Sequence, residues 1–279
     1  MEPVVFYHSP CPDGFTAAWV VSKAHPRAEF IPMSYKPGEF PDQARGKYVI
    51  VVDYSWERET MLELAKVSKS LLVLDHHATR EAALKDIPGC HFDITKSGAR
   101  LAWECFFPTE PVPPLVQYVE DRDLWSWKLK DSKEINAAIT SYDYTFENWN
   151  YLNDRLIHDW YDVRQEGAAI LRNENQMVNL ICKNAVPMKF FGIETLVVNT
   201  PVLQSEVGNA LAKKTTSGLS VSWFEKEPQI FTFSLRSTEN GPDCGVLAKK
   251  FFGGGGHAHA AGFTAGRNSE PLDGALEIL

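Results

Sequence analysis

Short apolar runs alternate with amphipathic segments through the first half of the chain. Val4–Tyr7 is a candidate first strand, Tyr48–Val52 is apolar at consecutive positions, and Leu71–Leu74 forms another such run. Residues 14–24, between the first two runs, have the spacing of a helix. Consecutive apolar positions are typical of strands buried on both faces, and strands that alternate with helices are typical of a parallel sheet. The pattern therefore predicts an α/β domain.

The pattern changes after residue 145. Residues 146–183 combine Asp, Glu, Arg and Asn with spaced Leu, Ile and Trp, which predicts helices. The later spacing predicts strands over 190–199, 219–224 and 229–235, and helices over 205–214 and 246–251. A chain of 279 residues is long enough for two domains. We predict a parallel-sheet domain over residues 1–145, a helical linker over 146–185 and a smaller α/β domain over 186–279.

Polar side chains follow each of the three predicted strands. His8 comes after the first strand, Asp53 after the second, and the cluster Asp75-His76-His77 after the third. In open α/β sheets, ligands bind in the crevice at the carboxyl ends of the strands. We therefore expect these side chains to converge on one site.

Composition and charge restrict the function classes. Hydrophobic residues make up 44% and charged residues 23% of the chain, as in ordinary globular proteins. The five cysteines form no CxxC pair, the N-terminus lacks the pattern of a signal peptide, and no apolar run is long enough to span a membrane. These features predict a soluble cytoplasmic protein with no membrane partner. The net charge of −8 argues against capture of long duplex nucleic acid, but not against a small anionic substrate.

The converging residue types indicate a metal centre. Carboxylate oxygens and imidazole nitrogens together suit Mn²⁺ and related cations. Two such ions clamp a phosphoryl group and generate hydroxide for in-line attack. Ser97, at the start of a predicted helix, is a candidate cap with a short path to a ligand.

Several segments, in this order along the chain, resemble the DHH phosphoesterase superfamily with its DHHA1 second domain. They are Tyr7–Ala18, Val52-Asp53, Leu74–His77, Ser234–Ser237 and the glycine-rich Lys249–Phe263. The resemblance extends from His8 to Phe263 and includes the nanoRNase and RecJ-like phosphodiesterases. It implies that the N-terminal parallel-sheet DHH domain is catalytic and is joined by helices to a smaller α/β DHHA1 domain that binds substrate.

The resemblance also implies a set of metal ligands for two Mn²⁺ ions, with Mg²⁺ or Co²⁺ as alternatives. Asp53 would bridge the two ions, and four further residues would complete the set: His8, Asp13, His76 and Asp121. Asp123 stays as the alternative to Asp121. Many relatives have an aspartate where this chain has Cys11, so either Cys11 binds a softer metal or the first metal position is weak.

The remaining roles follow from the same resemblance. Asp53 also counts as catalytic, Asp75 would orient the neighbouring histidines or contact metal, and His77 would lie beside the phosphate. Substrate would be bound by Ser97, by Arg236 and by the loop Gly253–Gly256, which includes Gly254, Gly255 and Gly256. His257 and His259 would contact the same phosphate.

The function that these expectations favour is metal-dependent hydrolysis of short oligonucleotides or small cyclic or linear dinucleotides to nucleoside monophosphates. A pyrophosphatase or exopolyphosphatase would use the same metals, but such relatives usually have a different second domain. A non-catalytic nucleotide sensor is a further alternative, motivated by Cys11. A RecJ-type exonuclease acting on long strands is less favoured, because no additional basic domain is evident. The sequence leaves monomer and homodimer open.

Overall fold

The computed structural model of the protein describes residues 2–34, 40–251, 254–266 and 276–278. The chain divides into two compact units, Met1–Arg172 and Asn173–Leu279. Each unit has its own sheet. The predicted two-domain α/β class is confirmed.

The first unit is built on a five-stranded parallel sheet with the strand order β2-β1-β3-β4-β5. Its strands are β1 (Val4–His8), β2 (Glu29–Met33), β3 (Tyr48–Val52), β4 (Ser70–Asp75) and β5 (Cys90–Phe92). The helices are α1 (Pro12–Ala24), α2 (Arg58–Val67), α3 (Ala78–Leu84), α4 (Gly98–Phe106), α5 (Pro114–Asp123), α6 (Ser132–Thr140), α7 (Phe146–His158) and α8 (Trp160–Cys182), with a short 3₁₀ turn at Asp42–Ala44. Helix α8 continues into the second unit.

Alternate strand residues enter two different cores. Val5 and Val52 pack into a cluster with residues of α1, α4, α5, α6 and α7. Val4 and Val51 pack into a second cluster with residues of α2 and α3. Successive side chains of a strand point to opposite faces, so helices cover both faces of this sheet. This double coverage explains why β3 is apolar at consecutive positions.

The second unit contains a seven-stranded mixed sheet with the order β10-β11-β9-β8-β7-β6-β12. Its elements are β6 (Val186–Phe190), β7 (Ile193–Asn199), α9 (Gln204–Ala212), β8 (Leu219–Glu227), β9 (Ile230–Ser237), α10 (Cys244–Ala248), β10 (Gly255–His257), β11 (Ala260–Gly266) and β12 (Leu276–Ile278). The β7–β8 pair is parallel, and α9 lies between these strands in the chain. One core of this unit contains the buried phenylalanines Phe190, Phe233, Phe251 and Phe263. The rings of Phe251 and Phe263 stack at a centroid distance of 3.6 Å.

Two predictions about the second unit need correction in their bounds. The strand predicted over 190–199 is present as β7 but begins at Ile193, because Phe191 and Gly192 adopt positive φ angles and separate it from β6. Of the predicted loop Gly253–Gly256, Gly255 and Gly256 lie in β10 and pair with β11; Gly253 lies outside the described residues.

Among the helices of the described ranges, none combines the length and apolar character that crossing a membrane requires.

Candidate metal centre

The candidate site lies at the carboxyl edge of the parallel sheet. Strands β1, β3 and β4 are hydrogen-bonded neighbours that run in the same direction. Three polar residues consequently emerge at one edge: His8, Asp53 and Asp75. The structure thus brings together the side chains whose convergence we expected from the strand ends.

Asp53 is at the centre of this group. Its Oδ2 atom lies 3.3 Å from Nδ1 of His8, and its Oδ1 atom lies 3.1 Å from Nε2 of His76. Burial opposes ionisation of this carboxyl, but the contacts with His76 and His8 outweigh it and hold the pKa of Asp53 well below its ordinary value. The backbone of Asp53 has a φ of 53°, a left-handed conformation that is uncommon outside glycine. Such conformations often occur at functional sites.

Asp13 lies in the first turn of α1, which begins shortly after β1 ends, and its side chain reaches the site. Its carboxylate accepts hydrogen bonds from the backbone N–H groups of Gly98 (2.6 Å) and Ala99 (3.0 Å) at the start of α4. The N-terminus of a helix is a favourable position for an anion. Burial and the charges of Asp53 and Asp123 nevertheless raise the pKa of Asp13 well above its ordinary value. Asp13 is therefore fixed in place but crowded by other carboxylates.

His76 is surrounded by three carboxylates. Its Nε2 atom lies 3.1 Å from Asp53, 3.5 Å from Asp123 and 3.8 Å from Asp13. Burial lowers the pKa of His76, but the attraction of these carboxylates prevails and raises it well above its ordinary value. The cluster contains more acidic groups than one imidazolium neutralises, which is the electrostatic arrangement that a bound divalent cation relieves.

Asp75 orients the histidine pair. Its Oδ1 atom accepts hydrogen bonds from the backbone N–H groups of His76 (2.7 Å) and His77 (3.2 Å), and lies 2.7 Å from Nδ1 of His77. Its Oδ2 atom accepts a hydrogen bond from Ser55 at 2.6 Å. Burial opposes ionisation, but His77 and Ser55 lower the pKa of Asp75 to about 2. Asp75 therefore holds the ring of His77 in place, and metal contact by Asp75, the other role considered from the sequence, stays a prediction.

The structure brings Asp123 into the cluster and directs Asp121 elsewhere. The carboxylate of Asp121 accepts hydrogen bonds from the backbone N–H groups of Lys128 (2.9 Å) and Leu129 (3.2 Å). Asp123 forms a group of possible metal-binding donors with Asp13 and His76. The preference for Asp121 over Asp123 therefore needs correction, because both oxygens of Asp121 bind the loop after α5.

Substitutions at these two positions should separate stability from metal chemistry. Asp121→Ala should lower the free energy of unfolding by about 1–3 kcal/mol, because two partly buried backbone N–H groups lose their charged acceptor. Asp123→Asn should leave the thermal unfolding temperature nearly unchanged but weaken Mn²⁺ binding at least about tenfold. Thermal unfolding and calorimetric Mn²⁺ titration of both variants test this. Weaker Mn²⁺ binding in a folded Asp121→Ala variant, with normal binding in Asp123→Asn, would restore the original assignment.

In the described part of the first unit, three groups of side chains could hold a divalent cation, and in each group the donor atoms all lie within 4.8 Å of one another. They are His8 with Cys11 and Asp53, Asp13 with His76 and Asp123, and Asp53 with Asp75 and His77. Oxygen and nitrogen donors suit Mn²⁺ or Mg²⁺, and the sulfur of Cys11 adds a softer ligand to the first group. The residues present therefore match the metal that the resemblance implies.

Ser97 is the N-cap of α4, as predicted. Its Oγ atom accepts a hydrogen bond from the N–H group of Arg100 at 3.2 Å, and its side chain is buried. Through this cap, Ser97 fixes the helix start whose next two N–H groups hold Asp13. Substrate contact by Ser97 stays a prediction.

In the second unit, neighbouring strands fix the arrangement of the predicted substrate-binding residues. Arg236 on β9 pairs with Ala260 on β11, which pairs in turn with His257 on β10. Residues paired directly across strands point to the same face of a sheet. Arg236 and His257 therefore share one face, with only the methyl group of Ala260 between them.

The guanidinium of Arg236 is held by small polar side chains. It donates hydrogen bonds to Ser205 on α9 (2.7 Å) and to Ser234 on β9 (2.8 Å). Helix α9 approaches closely, since a Cβ atom added to Gly208 would lie 2.7 Å from Cγ of Arg236. The other predicted phosphate contact, Gly254, is packed against α10, where an added Cβ would clash with the carbonyl oxygen of Ala248.

Sequence reasoning missed some of the groups that build the site. The N–H groups of Gly98 and Ala99 gave no signal beyond the predicted helix start. Ser55 could have been noticed, because it lies two residues after Asp53 at the end of a strand adjacent to β4. Its hydroxyl supports Asp75 at the neighbouring strand end.

No family model matches this chain, but comparisons with known proteins give relatives. The chain is 30% identical, over 287 aligned positions, to uncharacterized protein R106 of Acanthamoeba polyphaga mimivirus; the alignment covers 94% of this chain and 67% of that protein. Among solved structures, the pGpG-specific phosphodiesterase PggH from Vibrio cholerae has a TM-score of 0.50 at 15% identity, covering 94% of this chain and 93% of that one. An uncharacterized protein from Helicobacter pylori G27 has a TM-score of 0.47 at 14% identity, covering 98% and 97%. The likeness to the Vibrio enzyme shows a common two-domain α/β fold.

Proposed function

The chain belongs to the family of mimivirus protein R106, and we propose that it is a metal-dependent phosphodiesterase. Its substrates are short oligonucleotides or small dinucleotides, linear or cyclic, and its products are nucleoside monophosphates. The observation that carries this proposal is the cluster of Asp13, Asp53, His76 and Asp123 at the carboxyl edge of the parallel sheet. The fold shared with an enzyme described as a pGpG-specific phosphodiesterase supports it.

The metal would be held by two of the donor groups, His8 with Cys11 and Asp53 and Asp13 with His76 and Asp123. The carboxylate of Asp53 lies between His8 and His76. A bound Mn²⁺ ion, or Mg²⁺ or Co²⁺ in its place, would supply Lewis-acid chemistry and an activated water near neutral pH. Asp53 presents one carboxylate oxygen toward each histidine and would help to hold the metal. Asp13 keeps its position through the N-terminus of α4.

His77 would act on the phosphate directly. Asp75 engages Nδ1 of His77 at 2.7 Å and fixes the ring orientation, so Nε2 is the nitrogen through which His77 would reach a substrate. Burial lowers the pKa of His77, but Asp75 prevails and raises it above its ordinary value. A protonated imidazole stabilises charge that develops on a phosphoryl or leaving oxygen.

Arg236 and His257 would bind a phosphate of the substrate. A guanidinium presents a planar fork that matches phosphate oxygens, and the contacts with Ser205 and Ser234 limit its rotation. Ala260, whose side chain is only a methyl group, lies between Arg236 and His257 in the register of the sheet. A short substrate suits a protein with a net charge of −8, because long strands bind through many cationic contacts.

The test is release of mononucleotide from a labelled dinucleotide and from a twenty-nucleotide strand, with Mn²⁺, Mg²⁺ or a chelator. We expect Mn²⁺-dependent hydrolysis of the dinucleotide at a much higher rate than of the long strand, and none with chelator. His76→Ala should lower kcat/KM at least about 10²-fold. His158→Ala, at an exposed position of α7, should match the wild type.

Two other results would overturn the proposal. Hydrolysis of pyrophosphate or polyphosphate without hydrolysis of either nucleic acid would indicate a phosphoanhydride hydrolase. Tight binding of nucleotide without turnover of any substrate would indicate a sensor.

A further inference from the structure

Cys11 has a different environment from the buried cysteines of this chain. Cys90 and Cys244 pack inside apolar clusters, as cysteines that behave as small hydrophobic residues do. Cys11 belongs to none of the apolar clusters found among the described residues. Its sulfur atom lies instead close to a ring nitrogen of His8 and a carboxylate oxygen of Asp53. Hydrophobic packing therefore does not account for this side chain.

The geometry around Cys11 is that of a ligand set. Cys11 is the N-cap residue of α1 and has an extended backbone, two positions before Asp13. Its Sγ atom, a ring nitrogen of His8 and a carboxylate oxygen of Asp53 all lie within 4.8 Å of one another. Three donors of different chemistry thus converge: a nitrogen, a sulfur and an oxygen.

We propose that Cys11 is a metal ligand and that two donor groups of the centre select different cations. The group of His8, Cys11 and Asp53 binds a thiophilic ion of the Zn²⁺ or Co²⁺ type through the sulfur. The group of Asp13, His76 and Asp123 supplies two carboxylates and an imidazole, and binds a harder ion such as Mn²⁺ or Mg²⁺.

The preference follows from ligand softness. Thiolate favours Zn²⁺ and similar ions, whereas carboxylate favours Mg²⁺ and Mn²⁺. When the sulfur–metal bond forms, the thiol proton is released to solvent, and no electron transfer is involved. The inference rests on the metal centre of the proposed function, but it concerns coordination and not turnover.

The test is the absorption spectrum of the metal-free protein titrated with Co²⁺. A sulfur-to-cobalt charge-transfer band in the near ultraviolet is expected for the wild type and should be absent in Cys11→Ser. Zn²⁺ affinity in Cys11→Ser should fall at least about tenfold. Cys11→Asp should favour Mn²⁺ over Zn²⁺ relative to the wild type. Cys105→Ser, which changes an exposed thiol, is the control and should keep the band.

X-ray absorption of the wild-type Zn²⁺ form tests the same inference without any substitution. A sulfur scatterer at about 2.3 Å is expected, compared with about 2.0–2.1 Å for nitrogen. Absence of both the sulfur scatterer and the charge-transfer band overturns the inference, as does a band that persists in Cys11→Ser. If the wild-type protein shows the charge-transfer band but does not hydrolyse phosphodiesters, the inference about Cys11 stands and the proposed function is overturned. If it hydrolyses phosphodiesters but shows no band, the proposed function stands and the inference about Cys11 is overturned.

Discussion

Asp53→Asn should abolish phosphodiester hydrolysis while the protein stays folded. We expect kcat/KM to fall at least about 10³-fold, which corresponds to about 4 kcal/mol of transition-state stabilisation. The reason is that Asp53 stands between His8 and His76, and asparagine lacks the negative charge that the proposed metal ligand supplies. Asparagine also tolerates the left-handed conformation at φ 53°, so the backbone should not be strained.

Thermal unfolding with and without Mn²⁺ distinguishes loss of metal binding from loss of fold. Mn²⁺ at 100 times its dissociation constant should stabilise the wild type by about 2.7 kcal/mol, and this increment should disappear in Asp53→Asn. Asp86→Asn is the matched control, because Asp86 is exposed and pairs with Arg58 on the surface. If Asp53→Asn keeps both the Mn²⁺-dependent stabilisation and the hydrolysis rate, Asp53 is not a metal ligand.

The sequence predicted the parallel sheet of the first unit because its central strands are buried on both faces. Val49 and Val51 face one core while Ile50 and Val52 face the other, so all four positions are apolar. Such a run is hard to mistake for an exposed element. The convergence of His8 and the polar residues after β3 and β4 then followed from sheet geometry alone.

Short and edge elements were not predictable in the same way. Strand β5 has only three residues, and β2 contains Pro32, which weakens any strand pattern. The pair Phe191-Gly192 continues an apolar run, and the hairpin there depends on two positive φ angles. These elements exist because of tertiary contacts, which local periodicity does not encode.

The choice between Asp121 and Asp123 shows the same limit within the site. The two residues lie near the end of α5, and their side chains point to different partners. Which one faces the cluster depends on how the following loop returns, since Asp121 binds the N–H groups of Lys128 and Leu129. The separation of two residues between Asp121 and Asp123 does not predict the path of the loop after α5.

Asp13 shows a related limit. Its carboxylate is held by the start of α4, which lies far away in the sequence.

The contact between α4 and the site gives a second variant with a large expected effect. A Cβ atom added to Gly98 would lie 2.5 Å from Cβ of Asp53 and 3.0 Å from Oδ2 of Asp13. The backbone N–H of Gly98 donates a hydrogen bond to the same Oδ2 atom at 2.6 Å. Only glycine therefore lets the helix approach both carboxylates while it binds one of them.

Gly98→Ala should destabilise the protein by about 1–3 kcal/mol, the usual cost of overpacking a buried site. Helix propensity alone predicts the opposite sign, because alanine is a better helix former than glycine by about 1 kcal/mol. Displacement of Asp13 and Asp53 should also weaken Mn²⁺ binding. Denaturant unfolding and Mn²⁺ titration measure both effects, with Gly266→Ala as the control because its added Cβ would lie 3.9 Å from its nearest neighbour. A more stable Gly98→Ala variant with wild-type Mn²⁺ affinity would show that α4 does not fix the carboxylates of the metal centre.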